Sequence, residues 1–276
     1  MNNREIRKQI AEDTLDILKK GFFYTSNGNQ INISDLQEKA ENLTKVYTPE
    51  ETDRLIENLS VENIKGETEI KVKNQPTLEA VRELIAEGNK DVVCLNFASA
   101  KNPGGGFLGG SQAQEESIAR ATGLYNCQIK TNGYYETNRN TKTCLYTDYM
   151  IYSPFVPIIK DEEGKNLNNK EYCAIITAPA VNKGVVKNKE SEKLSEVENV
   201  MKRRINKVLA ISLENNHRTI VLGAWGCGVF QNEPKEIAKY FGEIIKNNFA
   251  NKFNKIVFAI YSKNEKFIEP FVKEFD

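Results

Sequence analysis

Residues 92–116 read VVCLNFASAKNPGGGFLGGSQAQEE: an apolar run, a glycine-crowded loop, then two adjacent glutamates. VVCLNF (92–97) is a short continuous apolar segment of the kind buried in a sheet covered on both faces. QEESIARATGLY (114–125) places acids in what would be the first turn of a helix, where the macrodipole favours them. Strand, glycine loop and helix start, in that order, describe an α/β unit, and in such folds ligands collect beyond the C-terminal ends of the strands.

The alternation continues on both sides. EIKVK (69–73) alternates as a strand does, and Pro76 opens a helical pattern of Leu78, Val81 and Ile85 that Gly88 closes. Further strands are expected at DYMIYSP (148–154), YCAIITA (172–178), TIVLGA (219–224) and KIVFAI (255–260). Helices are expected from about Leu194 to Asn215, from Pro234 through Ile245, and at 264–275. Upstream, Ile6, Ile10, Ile17 and Leu18 mark one helical face, and 34–58 reads as further helix with a start at Thr48-Pro49. Residues 160–170 and 182–193 read as loops. The fold class is α/β, and with no repeat or linker one globular core is expected over 67–276. Residues 1–66 are expected to pack on it as an N-terminal helical extension.

A second glycine loop, GAWGCGVFQNEP (223–234), also follows a strand and precedes a helix. Glycines let the backbone turn at positive φ and approach a ligand closely, and a helix start adds unpaired N–H groups. Two such loops would suit a diphosphate, although either alone could be a tight turn. Gly104, Gly106 and Gly109 formally satisfy GxGxxG, but they lie beyond the strand end and no acid-ended second strand follows at about twenty residues. No GxxxxGK[ST] occurs.

The chain has 276 residues, with Lys+Arg and Asp+Glu both at 38. No global field draws it to nucleic acid or an anionic membrane, so any anionic ligand must be held locally. Cys94, Cys127, Cys144, Cys173 and Cys227 are scattered, without a CxxC pair, which argues against a disulfide framework and a zinc site. His217, the only histidine, lies at an expected helix end and reads as a surface or capping residue. The opening MNNREIRKQIAEDTLDILKK is charged and amphipathic, and no apolar run is long enough for a membrane span. A cytoplasmic protein is expected, with no membrane partner and no specific nucleic acid.

Paired carboxylates beside a diphosphate suit cleavage of a glycosidic bond, in which one carboxylic acid protonates the departing oxygen while the adjacent carboxylate stabilises a cation-like sugar. Glu115 and Glu116 could instead simply favour a solvated helix start. Phe230 and Trp225 could be core aromatics, Cys227 a small close-packed residue, and Tyr134 and Tyr135 either an adenine platform or a cover for the loop.

GGG at 104–106, a seven-residue spacer and QEE at 114–116 resemble the signature of the microbial-type poly(ADP-ribose) glycohydrolases. The likeness extends through YYETNR (134–139), LYTDYMIYSPFVPI (145–158), ITAPAVN (176–182) and GCGVF (226–230). It implies a macrodomain-like three-layer α/β/α fold with a mixed central sheet, and release of ADP-ribose from the chain ends of poly(ADP-ribose), without metal or cofactor. By this resemblance Glu116 is the acid and base and Glu115 holds the ribose hydroxyls. Gly104, Gly105, Gly106, Gly226, Cys227, Gly228 and Val229 wrap the diphosphate and distal ribose, and Phe230 presses on the terminal ribose. Asn96, Ser99, Asn102 and Gln114 complete the substrate-binding set. Partners are then poly(ADP-ribose) or ADP-ribosylated macromolecules, with ADP-ribose as product. A non-catalytic ADP-ribose-binding module and a hydrolase of mono-ADP-ribosyl or other ADP-ribose derivatives stay open; an oxidoreductase lacks any nicotinamide acceptor element.

Overall fold

A computed structural model describes residues 2–275. Helix α1 (Asn3–Lys20) begins at a capping box formed by Asn2 and Glu5 and ends at Gly21, whose φ of 78° only glycine adopts freely. The hairpin β1 (Phe22–Tyr24) and β2 (Gln30–Asn32) follows, then α2 (Ser34–Leu43), β3 (Lys45–Tyr47) and α3 (Pro49–Asn58). Next come β4 (Glu69–Lys73), α4 (Thr77–Ala86) and β5 (Val92–Ala98), then α5 (Gln114–Ala121), α6 (Leu124–Ile129) and α7 (Tyr134–Asn140). The long strands β6 (Met150–Lys160) and β7 (Asn166–Pro179) precede α8 (Lys183–Lys189) and α9 (Val197–Glu214). The chain closes with β8 (Thr219–Leu222), α10 (Pro234–Asn248), β9 (Lys255–Ala259) and α11 (Glu269–Phe275).

Seven strands form one mixed sheet in the order β3-β6-β7-β5-β8-β9-β4. β7, β5, β8, β9 and β4 run parallel, while β6 and β3 add antiparallel on one side. Helices cover both faces, giving three layers. Strand alternation divides the core: Val93 and Leu95 of β5 pack with Leu209, Phe241 and Phe258 on one face. Val92 and Cys94 of the same strand pack with Leu18, Val81 and Ile118 on the other. No helix among the described residues is long and apolar enough to cross a membrane.

Several expected boundaries change. Residues 34–58 are two helices separated by β3, because Thr44 turns extended and Lys45–Tyr47 pair with Tyr152–Met150 of β6. The segment before residue 67 therefore contributes a strand to the main sheet as well as helices. QEESIARATGLY breaks between α5 and α6, where Thr122 is extended and bridges to Ile158. Any side chain at Gly123 would collide with the Gln37 amide, 1.7 Å from an ideal Cβ. The loop expected at 160–170 is mostly strand around a tight turn, and that at 182–193 is mostly helical. In both, charged residues sit on solvent-facing positions of regular elements, a pattern that composition alone reads as loop.

Candidate active site

β5 and β8 are adjacent and parallel, with Val92 opposite Thr219 and Cys94 opposite Val221. Both glycine loops therefore leave the sheet at the same edge. They meet at a cavity of about 770 Å³, whose wall includes Ser99, Glu115, Glu116, Gly226, Cys227 and Phe230.

Glu115 is only 3% exposed. Its carboxylate accepts from the Ser99 amide at 2.6 Å, from Asn96 Nδ2 at 3.2 Å and from Gln128 Nε2 at 3.4 Å. Burial pushes its pKa up to about 8, against the lowering effect of these donors, and the Glu116 charge adds to the rise. Glu116 is half-buried, and one oxygen accepts from the Gly106 amide at 3.0 Å. The adjacent acids thus differ: Glu115 is enclosed by donors, and Glu116 is tethered by one and opens to the cavity.

Gly105 explains the glycine run. Its φ is +58°, and a Cβ there would lie 2.5 Å from Glu116 Oε1 and 3.1 Å from Glu115 Oε2. The backbone lies flat against both acids because no side chain stands between. Gly104, also at positive φ, donates its amide to Gln128 Oε1 at 2.9 Å, and a Cβ on Gly106 would strike Ser111 Oγ at 2.5 Å. Arg4 Nε and Arg7 Nε of α1 donate to the carbonyls of Gly109 and Gly110, both at 2.8 Å. The loop is thus held from outside by α1 and from inside by the acids.

The second loop is braced by Asn232, whose Nδ2 donates to Val181 O at 2.8 Å and Gly226 O at 3.1 Å. Gly226 has φ +75°, and a Cβ would meet Ala180 and Asn232 at 2.6 Å. Val229 is 80% exposed at the cavity mouth, whereas Cys227 is buried, its thiol raised by burial and by Glu233. Phe230 packs against Tyr146, ring centroids 6.1 Å apart.

The other sequence-derived residues fall into two groups. Ser99 and Gln114 line the cavity. The Gln114 amide is occupied, accepting from the Phe97 amide at 2.8 Å and donating to Leu95 O and Thr77 Oγ1, which ties α5 to β5 and α4. Asn96 lies behind Glu115 and also donates to Thr177 Oγ1, and Asn102 is exposed on the glycine loop. Gly105 and Gly106 adjoin the acids, Gly104 packs on Phe107 and Ala119, and all three sit outside the main cavity wall. Tyr134 and Tyr135 are buried as a cover, the Tyr134 hydroxyl donating to Ser99 O at 3.4 Å. Trp225 is wholly buried. His217 lies away from the cavity, joining Tyr152 Oη and Asp91 O, each at 2.7 Å.

Sequence reading missed Gln128, Gln75, Thr77, Tyr261 and Phe267. Gln128 carries no motif signal, being one amide in a short helix. Gln75, Thr77 and Tyr261 follow the ends of β4 and β9, where the same rule that located the two glycine loops would have pointed to them, and Phe267 lies in a helical turn further along.

A family model described as the microbial-type PARG catalytic domain matches residues 11–161. A crystal structure of poly(ADP-ribose) glycohydrolase from Thermomonospora curvata superposes with a TM-score of 0.94 at 36% identity, covering 98% of this chain and 100% of that one. The same enzyme bound to the inhibitor ADP-HPD gives 0.92 at 36% identity, with the same coverage. The Deinococcus radiodurans enzyme in complex with ADP-ribose gives 0.84 at 37% identity, covering 89% of this chain and 99% of that one. A comparison with curated protein sequences finds no match.

Proposed function

The chain belongs to the microbial-type poly(ADP-ribose) glycohydrolases, and from that premise we propose that it hydrolyses ribose–ribose O-glycosidic bonds of poly(ADP-ribose) from chain ends, releasing ADP-ribose. The supporting observation is the asymmetry of the acids beside two converging glycine loops. Glu116, held by one backbone donor and open to the cavity, gives its proton to the departing 2′-oxygen as the bond from C1″ breaks. It then takes a proton from the water that attacks the oxocarbenium carbon, which restores it for the next turnover. Glu115, enclosed and with a raised pKa, holds the ribose hydroxyls beside that carbon.

Gly226, Cys227, Gly228 and Val229 wrap the diphosphate and distal ribose, and Phe230 presses on the terminal ribose and adenine region. Asn96, Ser99 and Gln114 act by fixing Glu115 and the start of α5, a reading supported by the hydrogen bonds of Asn96 Nδ2 and the Ser99 amide to Glu115 and of Gln114 to β5. We read the architecture as a macrodomain with N-terminal elements added, supported by the mixed sheet and its two helical faces. A reducing compartment such as the cytoplasm suits five unpaired cysteines.

Incubation with labelled poly(ADP-ribose) tests the reaction. Glu116→Gln is expected to lower ADP-ribose release by about 10²- to 10⁴-fold, the usual worth of a general acid, while calorimetry still detects ADP-ribose binding. Turnover that survives the substitution overturns the role given to Glu116. Binding without turnover in the unmodified protein would instead make it an ADP-ribose-binding module. Turnover is also expected to survive EDTA, and strict dependence on an added divalent ion would refute the metal-free scheme.

A further inference from the structure

A second groove, of about 350 Å³, adjoins the main cavity between α1, the start of α5 and the β6–β7 turn. Gln112, Ser117 and Glu162 line both, so the two spaces join alongside Glu116. Arg7 and Arg120 lie in the wall of this groove. Arg120 is buried and donates to Ser111 O and to the side chains of Gln112 and Ser117. Arginine ion pairs among the described residues involve Arg82, Arg203 and Arg204, whereas Arg7 and Arg120 have no carboxylate within 4.0 Å. Burial and the neighbouring Arg7 charge hold the Arg120 guanidinium below its usual range, against the opposing charges of Glu116 and Glu162. Asp161, Glu162 and Glu163 line the same groove, but neither guanidinium is closed off by a direct ion pair, so an anion can still reach them.

The acids of the adjoining turn are mostly engaged within it. Asp161 accepts from the amides of Glu163 and Lys165, and Glu163 pairs with Lys165. Glu162 alone faces the junction without such a partner.

A polymer cut at C1″ separates into a released ADP-ribose, which fills the main cavity, and a leaving half, whose 2′-oxygen takes its proton from Glu116. The leaving half must therefore pass alongside Glu116, where the groove opens. The ribose that bears this oxygen carries a diphosphate on its 5′ side. We propose that the groove is a leaving-group subsite in which Arg7 and Arg120 bind the diphosphate of the unit preceding the bond that breaks, an inference that rests on the glycohydrolase reading above. The subsite favours polymer over ADP-ribose linked to a leaving group without phosphate.

The test compares poly(ADP-ribose) with an aryl glycoside of ADP-ribose at C1″, which presents the same terminal unit and no second diphosphate. For Arg7→Gln the ratio of kcat/KM on polymer to kcat/KM on the aryl glycoside is expected to fall about tenfold, the loss of one charge-assisted contact. Arg7→Lys, which keeps the charge but not the Nε donation to Gly110, should recover most of that ratio. Glu162→Gln removes a negative charge from the junction and should raise it. In the unmodified protein, added salt should lower turnover of polymer more than of the aryl glycoside. An unchanged ratio in Arg7→Gln, with both substrates equally affected, overturns the subsite and leaves Arg7 as a brace for the loop. Failure of the unmodified protein to cut polymer overturns the glycohydrolase reading itself, a distinguishable result.

Discussion

Gly105 is the residue on which both acids depend. Alanine there would combine a left-handed φ with a Cβ 2.5 Å from Glu116 Oε1. Gly105→Ala is expected to cost about 1–3 kcal/mol of stability and to depress kcat more than ADP-ribose affinity, as measured by thermal melting and calorimetry. Glu115 makes a different prediction. Its folded pKa of about 8 lies above the ordinary value of 4.5, so its contribution to stability is complete below pH 4.5 and is lost as pH rises to about 8. Melting temperature should fall across that window, and the slope should be shallower in Glu115→Gln. The motif exposed both acids in the sequence, because their spacing from the glycines is local. The donors around Glu115 were less legible: Asn96 was named only through the family resemblance, and Gln128 reaches the acid only through the packing of α6.

At the scale of elements, α1 governs the glycine loop it touches. A Cβ on Gly110 would lie 2.2 Å from Arg4 O, at a φ of +74°. Gly110→Ala is therefore expected to push α1 from the loop and reduce turnover, while ADP-ribose binding at the second loop is less affected. The sequence showed α1 by its apolar face and α10 by Pro234, both long enough for periodicity to register. β3 left no such trace, since three residues cannot show a period and its pairing with β6 spans about a hundred positions. α8 was obscured in the same way, being a short helix with polar residues along its exposed second half.

For the whole molecule, the cluster around Asp148 ties α9 to the chain entering β6. Asp148 pairs with Arg203, Arg204 and Lys207, the last two almost wholly buried. Burial alone would raise the Asp148 pKa, but these three cations overcome it and hold the carboxyl well below its ordinary value of 3.8. Its stabilisation is present above that value and is lost as pH falls below it. Asp148→Asn, which leaves buried Arg204 without its carboxylate and Lys207 with Asp53 alone, is expected to destabilise by about 3–5 kcal/mol, readable by denaturant titration. Nothing in the sequence singled out this aspartate, because its partners lie more than fifty residues away.

The pairing of β5 with β8 has a consequence for the order in which the protein comes into being. A chain emerging from the ribosome presents Glu115 and Glu116 long before residues 219–230 exist to complete the cradle. Until those residues arrive, β5 lacks its neighbour on one side, and the acids border an unfinished surface. Competence for catalysis is therefore acquired late and all at once, when a contact of long sequence separation closes the sheet.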